Sequence, residues 1–404
     1  MESRIESMAP GGFGIARIEG RVHFVPETVT GDVVEIEEVS KKRHHTFSRL
    51  VRILEPSPSR RNPFCPWYGA CGGCDFQHIT YPEQLRIKQE IFRNQMQRIG
   101  KFEDPETPEI LGSKSKRVRM RFQIGNGEVG LFRRRTNRIC AMTECAVADP
   151  TINKALQVIR KGVKEAPGRS ALEGEVTIIA AGGKAHLFLD LPLQQAMALS
   201  ESMRPPVVGC ILGKREMRRI TGKPSIPLKT GGVQIDLPAD VFVQANREIN
   251  EAILPEIRAF MEGTNKVVDL YCGCGNFTFP LSRACGEVTG IETSPAAVES
   301  ARKAALRAKI GNLSFFCRPA AEADLSGTGG IVLDPPRPGL SSGLIKKILR
   351  ALPRRIAYLS CNPATQARDL RLLVDGGYTI ESIRLFDMFP ETHHIESLAL
   401  MRLK

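Results

Sequence analysis

Apolar and polar positions alternate in short segments over residues 1–56. The segments GIARIEG, RVHFVPETV, DVVEIEEVS and SRLVRIL have a period of about two and are separated by Gly, Pro and Asp. That period is typical of strands with one buried face. Short strands between turn residues predict a small antiparallel β-barrel of OB-like size.

The pattern changes further along the chain. After a proline-containing linker, TYPEQLRIKQEIFRNQMQRIG has apolar residues at helical spacing, and we expect a helix within residues 79–107. From about residue 108, segments such as VGLFRRR, EVTIIAAGG, AHLFLDL and GGVQIDLP favour strands. The sequence therefore predicts a barrel over 1–56, a mostly β central domain over 57–240 and a third domain over 241–404.

In the third domain, buried strands alternate with helices. KVVDLYCGCGN is a strand followed by a glycine loop, and EVTGIETSPAAVESARKAALRAKIG is a strand followed by a helix with Ser294 as N-cap and Pro295 in its first turn. This alternation predicts an α/β fold with a doubly wound, Rossmann-like parallel sheet. Ligands of such sheets bind at the carboxyl ends of the strands.

The charge and composition of the chain indicate which classes of molecule it could bind. The 404-residue chain has a formal net charge of +13 and a pI near 9.3, which favours a polyanion. In KSKRVRMRF, cationic and apolar residues alternate, so one strand face is basic; an ordinary solvated face is the alternative.

No apolar signal segment and no run of roughly 18 apolar residues is present. We therefore expect a cytoplasmic protein without a membrane partner, whose cysteines are thiols, metal ligands or catalytic groups.

Two strand ends of the third domain suit a nucleoside cofactor. Gly273, Gly275 and Asn276 follow one strand, and Glu292 ends the next, where a carboxylate can accept both hydroxyls of a ribose. Dinucleotide and S-adenosylmethionine enzymes share this pattern, but the loop is not GxGxxG. A tight turn without a ligand is the plain alternative. DPPRPG places Asp334 at a further strand end, without the aromatic residue that amino-directed methyltransferases carry after the prolines.

Cys361 lies where the strand IAYLS ends and the chain turns at Asn362. A thiolate there could add to carbon 6 of a uracil and make carbon 5 nucleophilic enough to take a methyl group. Glu396, at the start of the last strand, is the best candidate to remove the carbon-5 proton. A buried structural cysteine and a solvated glutamate are the alternatives. His393 and His394 could orient Glu396, contact RNA or be structural.

Several motifs, in this order, resemble a known family. They are the CX5CX2C loop CPWYGACGGC with a later fourth cysteine, QANREIN, DLYCGCGNFTFPL, DPPRPG, SCNPATQARDL and FPETHHIES. Together they resemble the RNA uracil-C5 methyltransferases that make 5-methyluridine in tRNA or 23S rRNA, in the branch that carries an iron–sulfur cluster. The resemblance covers essentially the whole chain. It implies an N-terminal TRAM-type barrel, a central iron–sulfur domain and a Rossmann-like class I methyltransferase domain, with the helix at 79–107 packed on the last.

The resemblance also implies roles for individual residues. Cys361 would be the nucleophile and Glu396 the proton acceptor. The residues expected to contact S-adenosylmethionine are Gln244, Tyr271, Asn276, Glu292, Asp324 and Asp334. The ligands expected for a 4Fe-4S cluster are Cys65, Cys71, Cys74 and Cys145.

Some alternatives stay open. Zinc could also bind four thiolates, although its sites more often pair CX2C with CX2C. A cytosine-carbon-5 RNA methyltransferase would also use a cysteine, and a non-catalytic iron–sulfur protein could bind RNA. We expect RNA as the partner of a monomer with no obligate protein partner. The sequence does not select between rRNA and tRNA.

Overall fold

The N-terminal segment folds into one six-stranded sheet around a small apolar core. The computed structural model describes residues 1–166, 168–213 and 218–404. The barrel segment contains β1 (Glu2–Arg4), β2 (Ser7–Ala9), β3 (Phe13–Ile18), β4 (Arg21–Pro26), β5 (Val33–Lys41) and β6 (His45–Glu55). Their order is β1-β5-β6-β4-β3-β2. Alternate residues of these strands, such as Ala16, Val25 and Val34, point inward, as the period of two predicts.

A long helix connects the barrel to the C-terminal part of the chain. Helix α1 (Tyr81–Arg98) is followed by the short strand β7 (Ile110–Leu111). The buried face of α1, including Ile87, Ile91 and Phe92, belongs to the same apolar core as the C-terminal sheet. The Lys88 ammonium is fully buried and forms an ion pair with Asp387, with Nζ 2.5 Å from Oδ1. Helix α1 therefore packs on the C-terminal domain although it precedes the central one in sequence.

The central part is a seven-stranded sheet covered by two helices. Its elements are β8 (Arg119–Gly125), β9 (Glu128–Phe132), β10 (Ile139–Cys140), α2 (Pro150–Glu165), β11 (Gly174–Ala181), β12 (Lys184–Asp190), α3 (Leu193–Glu201), β13 (Val207–Leu212) and β14 (Arg219–Gly222). The strand order is β10-β9-β8-β11-β12-β13-β14. The sequence analysis named only strands here and missed both helices. In α2 the signals were present, since Asp149 caps the helix and Ile152, Leu156 and Ile159 lie on one face.

The C-terminal part contains the remaining elements. They are β15 (Ile226–Thr230), β16 (Val233–Leu237), α4 (Arg247–Met261), β17 (Lys266–Leu270), α5 (Thr278–Leu281), β18 (Glu287–Glu292), α6 (Pro295–Arg307), β19 (Leu313–Cys317), β20 (Gly330–Leu333), α7 (Ser342–Ala351), β21 (Arg355–Ser360), α8 (Pro363–Asp375), β22 (Tyr378–Phe386) and β23 (Glu396–Leu403). The sheet order is β19-β18-β17-β20-β21-β23-β22-β7. Strands β17 to β21 are parallel, whereas β23 is antiparallel to both of its neighbours. The strand order reverses between β17 and β20, and ligands of such sheets bind at that point.

The β15–β16 hairpin packs on the C-terminal domain. Its residues Leu228 and Ile235 share a core with Ala301 and Ala304 of α6, and the Arg307 guanidinium lies 2.6 Å from the Asp236 carboxylate. The boundary expected at residue 240 therefore falls after an element that the C-terminal domain holds. Over the described ranges, no helix is long and apolar enough to cross a bilayer.

Candidate active site

The loop after β17 forms one wall of a cavity at the reversal of strand order. Tyr271, Gly273 and Gly275 all have positive φ angles, of 66°, 55° and 89°. A Cβ on Gly275 would lie 2.7 Å from the Phe279 ring, so only glycine fits there. The Asn276 side chain is fixed by Asn250 and by the Thr230 hydroxyl, which donates to its Oδ1 at 2.8 Å.

The cavity has a volume of about 650 Å³. It is lined by four of the predicted cofactor residues, Gln244, Tyr271, Asn276 and Asp334, together with apolar side chains of the β15–β16 hairpin. The Gln244 amide donates to Asp334 Oδ2 at 3.1 Å. Burial raises the pKa of the Asp334 carboxyl well above its usual range.

Glu292 ends β18 beside this loop. Its Oε2 accepts from the Gly273 amide at 3.2 Å, and its Oε1 accepts from the amides of Thr293 and Ser294 at 2.7 and 2.8 Å. The carboxylate is therefore held at the edge of the cavity in one orientation.

Asp324 does not share this location. It is exposed, and its Oδ1 accepts from the Ser326 amide at 3.0 Å. The Ser326 carbonyl accepts from Lys266, which begins β17, whereas the cofactor loop follows the other end of that strand. Asp324 was expected from the family resemblance, but the loop after β19 places it near Lys266 at the start of β17 and not beside the cofactor loop.

Cys361 directly follows β21, and Glu396 begins the antiparallel neighbour of that strand, β23. Ser360 of β21 pairs with Ser397 of β23, so the next position on each strand brings Cys361 opposite Glu396. Burial, and then the charges of Glu396 and Asp334, raise the pKa of the Cys361 thiol to about 11, although Arg337 opposes this. Glu396 is 3% exposed. Burial, and then the charge of Asp334, raise the pKa of Glu396 well above its usual value.

A second cavity, of about 650 Å³, opens at Cys361. Three parts of the chain line it: Pro10 and Gly11 of the barrel, Ile91 and Gln95 of α1, and the C-terminal residues Arg337, Cys361, Asn362, Pro363, Ala364, His393, His394 and Ile395. Burial lowers the pKa of His394 to about 3, so its ring is neutral at physiological pH. The wall of the cavity thus carries the Cys361 thiol, the Arg337 guanidinium and the neutral His394 imidazole.

Four cysteines surround a third, smaller cavity of about 350 Å³. Cys65, Cys71, Cys74 and Cys145 all line it, among apolar side chains such as Met120, Leu131 and Met142. Burial raises the pKa of the Cys71 and Cys74 thiols to about 12 and about 11. Within the described ranges, no three His, Cys, Asp or Glu side chains converge as they would on a single metal ion.

Two further side chains at this cavity carry unused hydrogen-bond donors. Trp67 Nε1 and the Nε and Nη2 atoms of Arg117 are buried and find no hydrogen-bond partner among the described residues. Buried N–H groups without partners are rare and call for an explanation such as a bound group. From the sequence, Arg117 was expected only on a basic strand face, and Trp67 was not identified.

The cysteine loop is bonded directly to the segment that precedes Glu396. The backbone amides of Asp75 and Phe76, which follow Cys74, both donate to the Glu391 carbonyl at 3.0 Å. The Glu391 carboxylate is paired with Arg61 and accepts from Gln84 at 2.9 Å. Glu391 itself has a left-handed φ of 69°. Sequence reasoning missed this network because it joins residues more than 300 positions apart.

A sheet of this order, with a glycine loop and an acidic strand end at the reversal point, defines the class of Rossmann-like nucleoside-binding domains. A family model described as tRNA (Uracil-5-)-methyltransferase matches residues 225–328 and 324–404. A model described as the TRAM domain of tRNA (uracil(54)-C(5))-methyltransferase matches residues 1–59. The chain belongs to the RNA uracil-5-methyltransferase family and is an S-adenosylmethionine-dependent enzyme. This confirms the family that the motifs indicated.

Individual relatives cover the whole chain. An "Uncharacterized RNA methyltransferase" of Aquifex aeolicus is 33% identical over 99% of this chain and 98% of the relative. The 23S rRNA (uracil(1939)-C(5))-methyltransferase RlmD of Shewanella amazonensis is 31% identical over 97% of this chain and 93% of the relative. The Pyrococcus abyssi tRNA (uracil-54, C5)-methyltransferase, crystallised with S-adenosyl-L-homocysteine, has a TM-score of 0.78 at 24% identity and covers 99% of this chain and 100% of that chain. This last likeness shows the fold.

Proposed function

We propose that the enzyme methylates carbon 5 of a uridine in structured rRNA or tRNA through a covalent adduct on Cys361. The observation that carries the proposal is the pairing of β21 with β23, which brings Cys361 opposite the buried Glu396. The two halves of this reaction need a nucleophile and a proton acceptor close to each other. Cys361 lines the second cavity, and the buried Glu396 directly follows Ile395, which also lines it.

The proposed reaction balances without a further reactant. The Cys361 thiol loses its proton to water, and the resulting thiolate bonds to carbon 6 of the uracil. The electron pair freed at carbon 5 attacks the methyl group of S-adenosylmethionine, and the bond between sulfur and that methyl group breaks to release S-adenosylhomocysteine. Glu396 then takes the proton from carbon 5, and the electrons of that C–H bond restore the ring double bond and expel the thiolate. A carboxylate whose pKa is raised by burial is a stronger proton acceptor than an ordinary glutamate.

The cofactor cavity would hold S-adenosylmethionine. We assign contacts to Gln244, Tyr271, Asn276 and Asp334, which line it, and to Glu292, whose fixed carboxylate suits the ribose hydroxyls. Asp324 is left out of this set because its loop contacts Lys266, at the start of β17, and Asp324 does not line the cavity.

The cavity at Cys361 would receive the uridine. An enzyme that modifies a base must take it out of the stack, and single-stranded loops allow this most easily. Because the barrel, α1 and the methyltransferase domain all line this cavity, we propose that they close around the extruded nucleotide together.

A 4Fe-4S cluster is the group we propose for Cys65, Cys71, Cys74 and Cys145. Four thiols line a common cavity, and the spacing CX5CX2C with a distant fourth cysteine differs from the paired CX2C motifs that zinc sites more often have. The unpartnered N–H groups of Trp67 and Arg117 suit an anionic cluster. When bound, the cluster would supply iron–thiolate bonds that hold the cysteine loop in place, and no step of the methylation passes through it.

Replacement of the nucleophile tests the mechanism. Cys361→Ala should abolish transfer of labelled methyl groups to rRNA and tRNA, while RNA binding survives because the cavity walls remain. Glu396→Gln should still transfer the methyl group and then stall, so that a slowly migrating protein–RNA band accumulates on denaturing gels. Product formation by the Cys361→Ala enzyme would refute the role of the thiol. The RNA target can be found by mass spectrometry of tRNA and rRNA from a strain that lacks the protein.

A further inference from the structure

The segment 390–395 lines two different cavities, a cationic groove with an exposed aromatic ring and the Cys361 cavity. Pro390 and Glu391 line the groove, whereas His393, His394 and Ile395 line the Cys361 cavity. The groove has a volume of about 690 Å³. A chain that passes around this segment would therefore meet both sites.

The charge of the groove suits phosphate. Arg61, Lys114, Lys116 and Arg117 line it, and the single acidic lining residue, Glu391, is already paired with Arg61. Lys114 is exposed and, among the residues that the structure describes, forms no ion pair. A free ammonium group in a groove lined by further cationic residues is suited to a polyanionic backbone.

Phe64 supplies a surface for a base. Its side chain is 51% exposed, and the Arg61 guanidinium lies 5.5 Å from the ring centroid. The backbone next to Phe64 is fixed, because the amide of the following residue, Cys65, donates to the buried Gln77 side chain at 3.1 Å. A rigidly presented, exposed aromatic ring between cations is the arrangement on which single-stranded nucleic acids stack their bases.

We propose that this groove binds a nucleotide of the substrate RNA next to the extruded uridine, with its base on Phe64 and its phosphate on Lys114. The inference rests on the proposed function, since RNA reaches the groove only if its uridine enters the Cys361 cavity. No sequence preference follows, because every base has a face that can stack.

Binding of a fluorescein-labelled oligouridylate of about ten nucleotides, followed by fluorescence anisotropy, tests the groove. Phe64→Leu should weaken binding roughly 5- to 150-fold, whereas Phe64→Trp should restore it, because tryptophan also stacks. The matched control is Phe316→Leu. Phe316 is 39% exposed and lies 4.8 Å from the Arg318 guanidinium, but it is outside the groove, so its replacement should leave binding unchanged.

Lys114→Gln should weaken binding and reduce the slope of log affinity against log salt by about 1. Unchanged affinity of Phe64→Leu, or equal weakness of the leucine and tryptophan variants, would overturn the stacking role. Methyl transfer by the wild-type enzyme is followed in parallel. Suppose that a protein lacking the Cys361 thiol still methylates RNA, while the Phe64 and Lys114 variants bind RNA with the expected differences in affinity. The proposed mechanism is then wrong, and the assignment of the groove as a nucleotide-binding site is retained.

Discussion

The chemistry of Cys361 depends on the charges that surround it. Its thiol has a pKa of about 11, raised by burial and then by Glu396 and Asp334. The free enzyme therefore holds a protonated, weakly reactive thiol at neutral pH. We infer that binding of the uracil, and not a standing thiolate, completes the activation of the nucleophile.

Alkylation of Cys361 should follow this pKa. Because the reactive species is the thiolate, the rate with iodoacetamide should rise about tenfold per pH unit from pH 7 to pH 10, as the fraction deprotonated grows toward the pKa. Glu396→Gln removes a carboxylate that raises the pKa, so this variant should react faster at pH 9. Mass spectrometry of the peptide that contains Cys361 measures the rate. A plateau below pH 9 would contradict the account.

Residue-level prediction from sequence succeeded where a motif fixes the backbone. Asp334 follows β20 directly and is held before consecutive prolines, so its place at the strand end could be foreseen. Asp324 lies in a loop after a short turn, and nothing in its neighbourhood specifies which side of the sheet that loop reaches. The donors of Trp67 and Arg117 could not be foreseen, because their lack of partners is a property of packing.

At the level of elements, the segment between β22 and β23 connects the cysteine loop with Glu396. Glu391 is its anchor, with a left-handed backbone and contacts to Arg61, Gln84 and the amides of residues 75 and 76. Such strained positions persist only where their surroundings hold them.

Loss of this anchor should slow proton removal more than methyl transfer. In Glu391→Ala, a displaced Glu396 should reduce turnover about 10- to 100-fold, and the covalent protein–RNA adduct should accumulate. Glu391→Gln keeps an oxygen that can accept from Gln84 and serves as the matched control, with a smaller effect. Gel analysis of the adduct against total methyl transfer separates the steps. An equal fall of both, without adduct, would mean that Glu391 has only a general structural role.

The buried ion pair of Lys88 and Asp387 attaches α1 to the same segment. Lys88→Met should leave an unpaired buried carboxylate and lower the stability of the protein by about 3 to 5 kcal/mol. The double variant Lys88→Met, Asp387→Leu should recover most of this loss, because it removes both charges. Thermal denaturation of the three proteins measures the effect. If the double variant is no more stable than the single one, the loss comes from packing and not from the unpaired charge.

Elements were foreseen where apolar periodicity was strong. The strands and helices after residue 241 follow from buried runs and caps, whereas α2 and α3 were passed over among neighbouring strands. The attachment of α1 to the C-terminal sheet came from the family resemblance. It depends on pairing between Lys88 and a residue almost 300 positions later, which periodicity does not encode.

In the whole molecule, the barrel, α1 and the methyltransferase domain meet at the Cys361 cavity, and the cysteine loop reaches that cavity through His393. The His393 ring lies 2.6 Å from the Asp75 carboxylate. We therefore expect order in the cysteine loop and order at Glu396 to depend on each other. The proposed cofactor cavity is lined by other residues.

Removal of the proposed cluster tests this dependence. Treatment with an iron chelator should abolish visible absorbance and reduce methyl transfer, because the loop loses its iron–thiolate bonds and the segment 387–395 loses its support. Affinity for S-adenosylmethionine, measured by calorimetry, should change little. Full activity after loss of the absorbance would show that the active site does not depend on the cluster. Absence of any iron in freshly purified protein would contradict the cluster assignment.

The central claim is that Cys361 bonds to the target uridine. Glu396→Gln enzyme is incubated with RNA and S-adenosylmethionine, digested with nuclease and trypsin, and analysed by mass spectrometry. The tryptic peptide 356–368 contains Cys361 as its single cysteine. We predict that this peptide carries a methylated uridine nucleotide. An unmodified peptide alongside methylated RNA product would contradict the account.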